Sequence, residues 1–226
     1  DVEVNVKYVH TNLDNPLYSD LGGLLYHDIV RMWPTMPFQD PNGHYMRNGK
    51  LAQLTNGSRS VTENDNVYMQ GQLVFHPMKG WNIYANVGLR TINEFRKQNL
   101  NKVYEYNVNN EPLTLAYGGN YTAGQTGAFQ RWTRANHLTT SLYTDYEFAI
   151  NDDHMFKVMV GMNTEKYNNR VLNVERMDLI TENVPEIGSA TGKDVINEAS
   201  AYSWATAGFF GRINYDYKDR YFIAAN

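Results

Sequence analysis

The chain of 226 residues carries a formal charge of −4, with 20 Lys and Arg against 24 Asp and Glu, and contains no cysteine. Without an excess of cations it lacks the electrostatic signature of a nucleic-acid-binding protein, and without cysteine it has no disulfides, thiolate metal sites or cysteine nucleophile. The 17 Tyr, 9 Phe and 17 Gly, together with only 19% charged residues, favour β-structure over helix.

The chain starts and ends in segments that are predicted to be strands. Residues 2–8 alternate apolar and polar side chains without the basic and apolar regions of a signal peptide, and residues 221–226 run to the last position without a turn. Because a domain seldom begins or ends in the middle of a strand, we expect the sequence to be an excerpt of a longer protein.

Five internal segments alternate in the same way, which gives each predicted strand one dry face and one wet face. They are residues 67–76, 81–90, 137–148, 156–165 and 205–216. With the two terminal segments, they predict an all-β, antiparallel fold of about seven strands.

The connections between these strands alternate strictly in length. Three are tight turns, at 76–80, 151–153 and 217–220. Three are long links, at 11–65, 94–133 and 167–200. This order is typical of a transmembrane β-barrel, in which periplasmic turns are short and extracellular loops are long. Soluble sandwiches and lipocalin-like barrels also contain alternating strands, and they remain the alternative at this point.

Aromatic residues on the apolar positions cluster near the short turns, where the interfacial girdle of a membrane barrel is expected. They are Phe75, Trp81, Phe148, Phe156, Tyr215 and Tyr221. On the opposite parity, six larger residues are predicted to face the barrel lumen. These are Tyr84, Arg90, Tyr143, Lys157, Trp204 and Arg212.

Within the first long link, the sequence predicts a short helix with Ser19 or Asp20 as its N-cap and Pro34 as its end. Its apolar face would consist of Leu25, Ile29, Met32 and Trp33. The segment 40–43 (Asp-Pro-Asn-Gly) follows and predicts a turn. It lacks the ligand spacing of an EF-type calcium loop.

No pattern in the sequence predicts catalysis or a cofactor. The histidines are scattered without a ligand pair at metal-binding spacing. No nucleophile elbow, phosphate-binding loop or dinucleotide fingerprint occurs. The adjacent acids Asp152 and Asp153 lie in a predicted turn, where such residues usually shape the backbone. We therefore expect neither an enzyme nor a metal protein.

The segment 204–221 (WATAGFFGRINYDYKDRY) resembles a barrel segment of the SusC/RagA-like TonB-dependent transporters. That family combines an aromatic-Gly-Arg-aliphatic-Asn-Tyr strand with a Tyr-Lys-Asp turn and a following Tyr, as this segment does. The residues 34–37 followed by 40–43 look like the first large mid-barrel loop of the same family. The family's plug domain and TonB box have no counterpart in the sequence.

The resemblance implies that residues 1–226 are part of a single transmembrane β-barrel domain in the outer membrane of a Gram-negative bacterium. It implies TonB-dependent import of a bulky oligosaccharide or peptide through a plugged barrel. A SusD-like surface lipoprotein would be the partner, and Trp33, Phe38 and Tyr45 are candidate contacts in the first loop. Two alternatives remain open: a passive porin, and a soluble β-sandwich that binds carbohydrate on loop aromatics such as Trp33, Tyr45 and Trp132.

Overall fold

A computed structural model describes most of the chain, namely residues 1–20, 25–47, 50–116, 121–151 and 153–226. Asp152, in one of the predicted tight turns, lies outside these ranges. The strands are β1 (Val2–Pro16), β2 (Arg59–Met78), β3 (Trp81–Leu100), β4 (Val103–Tyr106), β5 (Pro112–Leu115), β6 (Gly127–Asn151), β7 (His154–Met177), β8 (Asp194–Tyr217) and β9 (Tyr221–Ala225). The short helices are α1 (Leu17–Asp20), α2 (Leu25–Val30), α3 (Leu51–Thr55) and a 3₁₀ turn at Ile187–Ser189.

Seven of the strands form one antiparallel sheet in the order β1-β2-β3-β6-β7-β8-β9. Each strand of this sheet pairs with the strand of the same sheet that precedes or follows it in the sequence. The remaining two, β4 and β5, form a separate hairpin inside the second long loop. The predicted antiparallel all-β fold is therefore confirmed. Within the described ranges the seven strands make one continuous sheet and not two packed layers, which disfavours the soluble sandwich.

The short turns are held by backbone geometry that few residues adopt. Gly80 has a φ of +79°, and a Cβ at this position would lie 2.4 Å from the carbonyl oxygen of Glu147. At the β8–β9 turn, Lys218 and Asp219 have φ values of +54° and +52°. Lys218 also forms a salt bridge with Asp153 of the neighbouring turn, at 3.1 Å. Both turns join consecutive strands tightly, as predicted.

The strands extend further into the long links than the sequence pattern predicted. β3 ends at Leu100, β6 begins at Gly127 and β7 ends at Met177, so the loops are shorter than expected. Trp132, predicted in a loop, lies within β6 and pairs with Phe95 and Leu172. The alternation of apolar and polar residues weakens in these extensions, but the backbone continues to pair, which a hydrophobicity pattern does not detect.

The first loop contains helix, although its extent differs from the prediction. Helix α2 ends at Val30, because the Met32 N–H bonds back to the Ile29 carbonyl in a tightened last turn, so Met32 and Trp33 lie beyond the helix. Ser19 lies inside α1 and is not an N-cap. The predicted turn at 40–43 is confirmed, since the Gly43 N–H donates to the Asp40 carbonyl at 3.0 Å.

The hydrophobic core lies at the long-loop end of the sheet. Leu17, Ala52, Leu100, Val103 and Phe129 are buried against one another there. They come from the first loop, from the β4–β5 hairpin and from the ends of β3 and β6. We call this packed unit, formed by the described residues of 17–58 and 101–126 on the strand ends, the loop cap.

A buried polar network attaches the loop cap to the sheet. The Asn101 N–H donates to the Ser58 hydroxyl at 2.9 Å, and the Asn99 side-chain amide donates to the Gly57 carbonyl at 3.0 Å. The Asn99 side-chain oxygen in turn accepts from the Arg59 N–H at 3.0 Å. These bonds satisfy polar groups that would be costly to bury without partners, and they fix where β2 leaves the loop.

Candidate functional site

The register of the sheet separates its residues into two chemically different faces. One cross-strand row consists of Leu73, Ala85, Leu142, Met162 and Phe209, and the rows next to it are also mostly apolar. These side chains are largely exposed in the chain; Phe209, for example, is 85% exposed. We call this the apolar face. A continuous exposed apolar surface marks a contact site for lipid or protein.

The predicted aromatic residues near the short turns all lie on the apolar face, and those on β6, β7 and β8 contact each other. The ring centroids of Phe148 and Phe156 are 5.4 Å apart, and those of Phe156 and Tyr215 are 4.8 Å apart. The three residues are aligned in the register. They form one continuous aromatic row along this end of the sheet.

The opposite face, which we call the polar face, carries all six predicted lumen-facing residues. They are Tyr84, Arg90, Tyr143, Lys157, Trp204 and Arg212. The register distributes them over three levels between the long loops and the short turns.

The level nearest the long loops is a row of aromatic and cationic side chains. Tyr68, Arg90, His137, Tyr167 and Trp204 follow one another on five neighbouring strands. The Arg90 guanidinium lies 5.0 Å from the centre of the Tyr68 ring, and the rings of Tyr167 and Trp204 stack at 6.0 Å with an angle of 25°. This upper aromatic row presents flat ring surfaces and a cation to whatever lies against the polar face.

The middle level is a second row of rings that packs over a glycine. Tyr84 and Tyr143 stack at 4.5 Å with an angle of 12°, and Phe210 lies 6.2 Å from Tyr143. Gly161 lies between the last two in the register, and the absence of its side chain leaves room for the Tyr143 Cβ and the Phe210 ring. We call this the lower aromatic row.

A groove of about 420 Å³ lies between the two aromatic rows. On the polar face it is lined mainly by amides and hydroxyls: Gln70, Gln72, Asn86, Thr139, Ser141 and Asn163. The Asn86 side-chain amide donates to Ser141 at 3.2 Å, whereas its buried oxygen accepts no hydrogen bond from the described residues.

The level nearest the short turns is a charged cluster, which holds the other two predicted residues. Lys157 Nζ lies 3.8 Å from the buried Asp145 carboxylate, which also accepts a hydrogen bond from Asn82 at 2.8 Å. Arg212 donates to Asn214 at 3.0 Å. Lys157 and Arg212 therefore share the polar face with the groove but do not line it.

Of the three candidate partner contacts, two are exposed and one supports the loop cap. Trp33 is 71% exposed and Phe38 is 51% exposed, whereas Tyr45 packs against the buried core. Other exposed apolar side chains accompany the first two in the loops. They are Tyr26, Ile29, Val30 and Val108. We call these four, with Trp33 and Phe38, the loop patch, a set that is defined by exposure and in which Trp33 and Val108 line a common hollow.

Sequence reasoning missed Tyr68, His137 and Tyr167, which complete the upper aromatic row. Each is an unremarkable polar-face residue in its own strand, and only the cross-strand register shows that they are neighbours. Counting residues along each predicted strand from its short turn could have aligned these positions across the strands. Among the residues that the structure describes, no group of His, Asp and Glu is placed to hold a metal ion.

None of the helices in the described ranges is long and apolar enough to cross a membrane.

No protein-family model matches the chain, and no curated protein matches its sequence. Solved structures do resemble its fold. The RagAB peptide importer in the "closed-closed" state aligns with a TM-score of 0.67 at 15% identity, over 99% of this chain and 25% of that chain. The "open-open" state of the importer aligns with a TM-score of 0.63 at 13% identity, over 99% and 24%. A structure of the RagAB peptide transporter aligns with a TM-score of 0.58 at 16% identity, over 74% and 17%.

These likenesses show a related fold. The sheet and its loops are similar to one part of a transporter chain, and the chain spans a quarter or less of the length of the structures that it matches.

Proposed function

We propose that the chain forms part of the barrel wall of an outer-membrane active importer of a Gram-negative bacterium, and that residues 1–226 belong to a single transmembrane β-barrel domain. The observation that carries the proposal is the sheet itself, a continuous antiparallel meander with one exposed apolar face and one polar face. Transmembrane barrels alternate lipid-facing and lumen-facing residues in this way, with short turns at one end and long loops at the other.

The apolar face would contact membrane lipid. Its apolar stretch covers residues 81–89 on β3 and 138–148 on β6, close to the roughly 9–11 residues that a tilted strand needs to cross the hydrocarbon core. Strands β3, β6 and β7 are paired with a neighbouring strand on both sides, so their backbone groups are satisfied without water. The aromatic row near the short turns would lie at the periplasmic interface.

The polar face would line the path of a bulky nutrient, an oligosaccharide or a peptide. The two aromatic rows offer ring surfaces on which sugar faces or apolar side chains can stack. The amides and hydroxyls of the groove between them can exchange hydrogen bonds with sugar hydroxyls or with a peptide backbone. The neighbours of similar fold are described as RagAB peptide importers, which favours a substrate of this size.

The resemblance to the SusC/RagA-like family supplies the energetic part of the proposal. In that family TonB, driven by the proton gradient of the inner membrane, acts on a plug inside the barrel. Such a plug would lie against the polar face of this sheet, where the amides and hydroxyls of the groove would be its hydrogen-bonding partners. Lys157 and Arg212 are charged contacts nearer the periplasm.

The loop patch would contact a SusD-like surface lipoprotein. Its six apolar side chains are exposed on the loop cap, and Trp33 is more than two-thirds exposed. Aromatic side chains are enriched at protein interfaces because they bury much area for little loss of conformational freedom. Tyr45 would contribute indirectly, because its backbone carbonyl accepts the Tyr106 N–H at 2.9 Å and so holds the loop on the hairpin.

Uptake in living cells tests the proposal. Cells that carry the protein should accumulate labelled oligosaccharide or peptide, and a proton uncoupler should abolish the accumulation. Replacing Tyr167 and Trp204 together by alanine should reduce uptake. Phe209→Ala, on the apolar face of the strand β8 that also carries Trp204, should not reduce it. Uptake that persists with the uncoupler would identify a passive porin and refute active import.

A further inference from the structure

Two arginines interrupt the apolar face on the long-loop side of its apolar band. Arg134 on β6 and Arg170 on β7 are directly opposite each other in the register, and both are exposed. We call them the arginine pair. Like charges opposite each other on neighbouring strands destabilise a sheet. An anion bound between them would remove that repulsion.

The rest of the described chain does not supply this anion. Neither guanidinium forms an ion pair or a hydrogen bond with another described residue. The acid at the same level, Asp65, lies two strands away on β2 and accepts hydrogen bonds from Tyr8 and His10. By contrast Arg131, on the polar face of β6, is paired with Glu198 at 3.3 Å.

Two adjoining hollows flank the arginine pair. One, of about 460 Å³, is lined by Asn136, Asn168 and Ser203 on the side of the apolar band. The other, of about 420 Å³, is lined by Trp132 and Leu172 on the side of the long loops. They exist because β8 presents only small side chains here, at Ala199, Ala201 and Ser203.

The residues around the two hollows identify the ligand by its chemistry. Guanidinium groups bind phosphate in a bidentate manner, which makes arginine the preferred residue for phosphate recognition. The side-chain amides and the serine hydroxyl can bind sugar hydroxyls, and the Trp132 ring, with Phe95 at 5.1 Å, offers a flat surface for a sugar ring. The apolar band begins directly below and can contact acyl chains.

We propose that this surface is a binding site for a phosphorylated glycolipid of the outer leaflet. The phosphate lies on the arginine pair, the sugar lies against Trp132, and the acyl chains follow the apolar face. Lys166, exposed four residues below Arg170 on the same face, provides a further cation at the edge of the band, from which a long side chain can reach the headgroups. The inference rests on the proposed location in the outer membrane.

Lipid binding to the purified protein tests the site. The protein is extracted from membranes in mild detergent, stripped of lipid, and titrated in native mass spectrometry with a phosphorylated glycolipid, its dephosphorylated form, phosphatidylglycerol or inorganic phosphate. The variant combines Arg134→Gln with Arg170→Gln. Arg220→Gln, in the short β8–β9 turn at the opposite end of the sheet, is the matched control. Because the variant removes two positive charges that repel each other across neighbouring strands, its sheet is expected to assemble at least as well as that of the wild type.

The wild type and Arg220→Gln should bind the phosphorylated glycolipid, and the double variant should bind it about tenfold or more weakly. Dephosphorylation should weaken binding to the wild type by a similar factor. Trp132→Ala should weaken glycolipid binding but leave phosphatidylglycerol binding unchanged. Equal affinity of the wild type and the double variant would overturn the proposal. So would equal affinity for phosphatidylglycerol, or displacement of the glycolipid by inorganic phosphate at millimolar concentration.

Membrane fractionation of the same cells distinguishes a failure of the glycolipid site from a failure of the proposed outer-membrane location. Protein that is absent from the outer-membrane fraction would refute the proposed function. Protein that is present in the outer membrane but does not bind the phosphorylated glycolipid would refute the glycolipid site alone.

Discussion

At the scale of single residues, Gly161 has the tightest surroundings among the described glycines of the polar face. A Cβ there would lie 2.4 Å from the Cβ of Tyr143, 2.6 Å from the Phe210 ring and 3.0 Å from the Leu142 carbonyl oxygen. Two of these atoms cannot move without shifting the backbone. The lower aromatic row therefore depends on a missing side chain in the strand between its rings.

Gly161→Ala should consequently destabilise the sheet by about 1–3 kcal/mol, the usual cost of forcing additional volume into a packed site. Gly211→Ala is the matched control, because the nearest atom to a Cβ at that position is 3.6 Å away. Both free energies of unfolding can be measured by denaturant titration after refolding into liposomes. Equal effects of the two substitutions would show that the rings do not require the glycine.

Two consecutive residues on β7 test which face meets lipid. Met162 lies on the apolar face in the middle of its apolar band, and Asn163 lies on the polar face beside the groove. Met162→Arg should destabilise the refolded protein by about 2–4 kcal/mol, the cost of a cation near the bilayer midplane. Asn163→Arg should have little effect. The reverse order of the two effects would mean that the faces are assigned the wrong way round.

At the scale of elements, the loop cap combines an apolar core with one buried acid. Glu105 in β4 is only 2% exposed, and burial raises the pKa of its carboxyl, although Lys50 and Arg47 act in the opposite direction. A raised pKa means that the folded cap holds a proton to a higher pH than the unfolded chain does. The stabilisation by that proton is complete below the pKa that Glu105 has in the unfolded chain, and it is lost as the pH rises through the pKa that Glu105 has in the folded cap.

Glu105→Gln should therefore increase the stability of the loop cap at neutral pH. The difference in stability between the variant and the wild type should shrink as the pH falls towards the ordinary pKa of a glutamate. Hydrogen exchange of the β4 amides, expressed as protection factors at pH 7 and pH 5, measures this. An increase in protection that is the same at both pH values would contradict the assigned role of Glu105.

The elements also show what the sequence could and could not predict. The strands 81–90 and 205–216 and their faces follow from alternation, because each residue meets either an apolar or a polar environment. The extension of β6 to Gly127 does not follow, because strand pairing there is supported by the loop cap and not by alternation. The end of α2 at Val30 was missed for a similar reason, since Met32 and Trp33 keep helical spacing in the sequence beyond the last helical turn.

The candidate site was predictable in part for the same physical reason. Tyr84 and Tyr143 could be placed on the polar face by counting along their own strands. Their stacking, and the alignment of Arg90 with His137 and Trp204, depend on how neighbouring strands are registered, which a single strand does not encode. The arginine pair escaped sequence analysis because it lies beyond the alternating segments.

At the scale of the whole molecule, all proposals depend on one orientation. The short turns would face the periplasm, the loop cap and loop patch would face the cell exterior, and the apolar face would contact lipid between them. The upper aromatic row, the arginine pair and the loop cap all lie towards the same end of the sheet. In the proposed orientation, nutrient capture, glycolipid binding and lipoprotein contact would all take place on the outer side of the membrane.

Single-cysteine labelling on intact cells tests this orientation most directly, because the chain contains no cysteine of its own. Asn183 is exposed in the third long loop, and Lys79 is exposed in the β2–β3 turn. Each is replaced by cysteine in a separate variant. A membrane-impermeant maleimide should label Asn183→Cys on intact cells and Lys79→Cys only after the outer membrane is permeabilised. Labelling of Lys79→Cys on intact cells would contradict the proposed transmembrane arrangement.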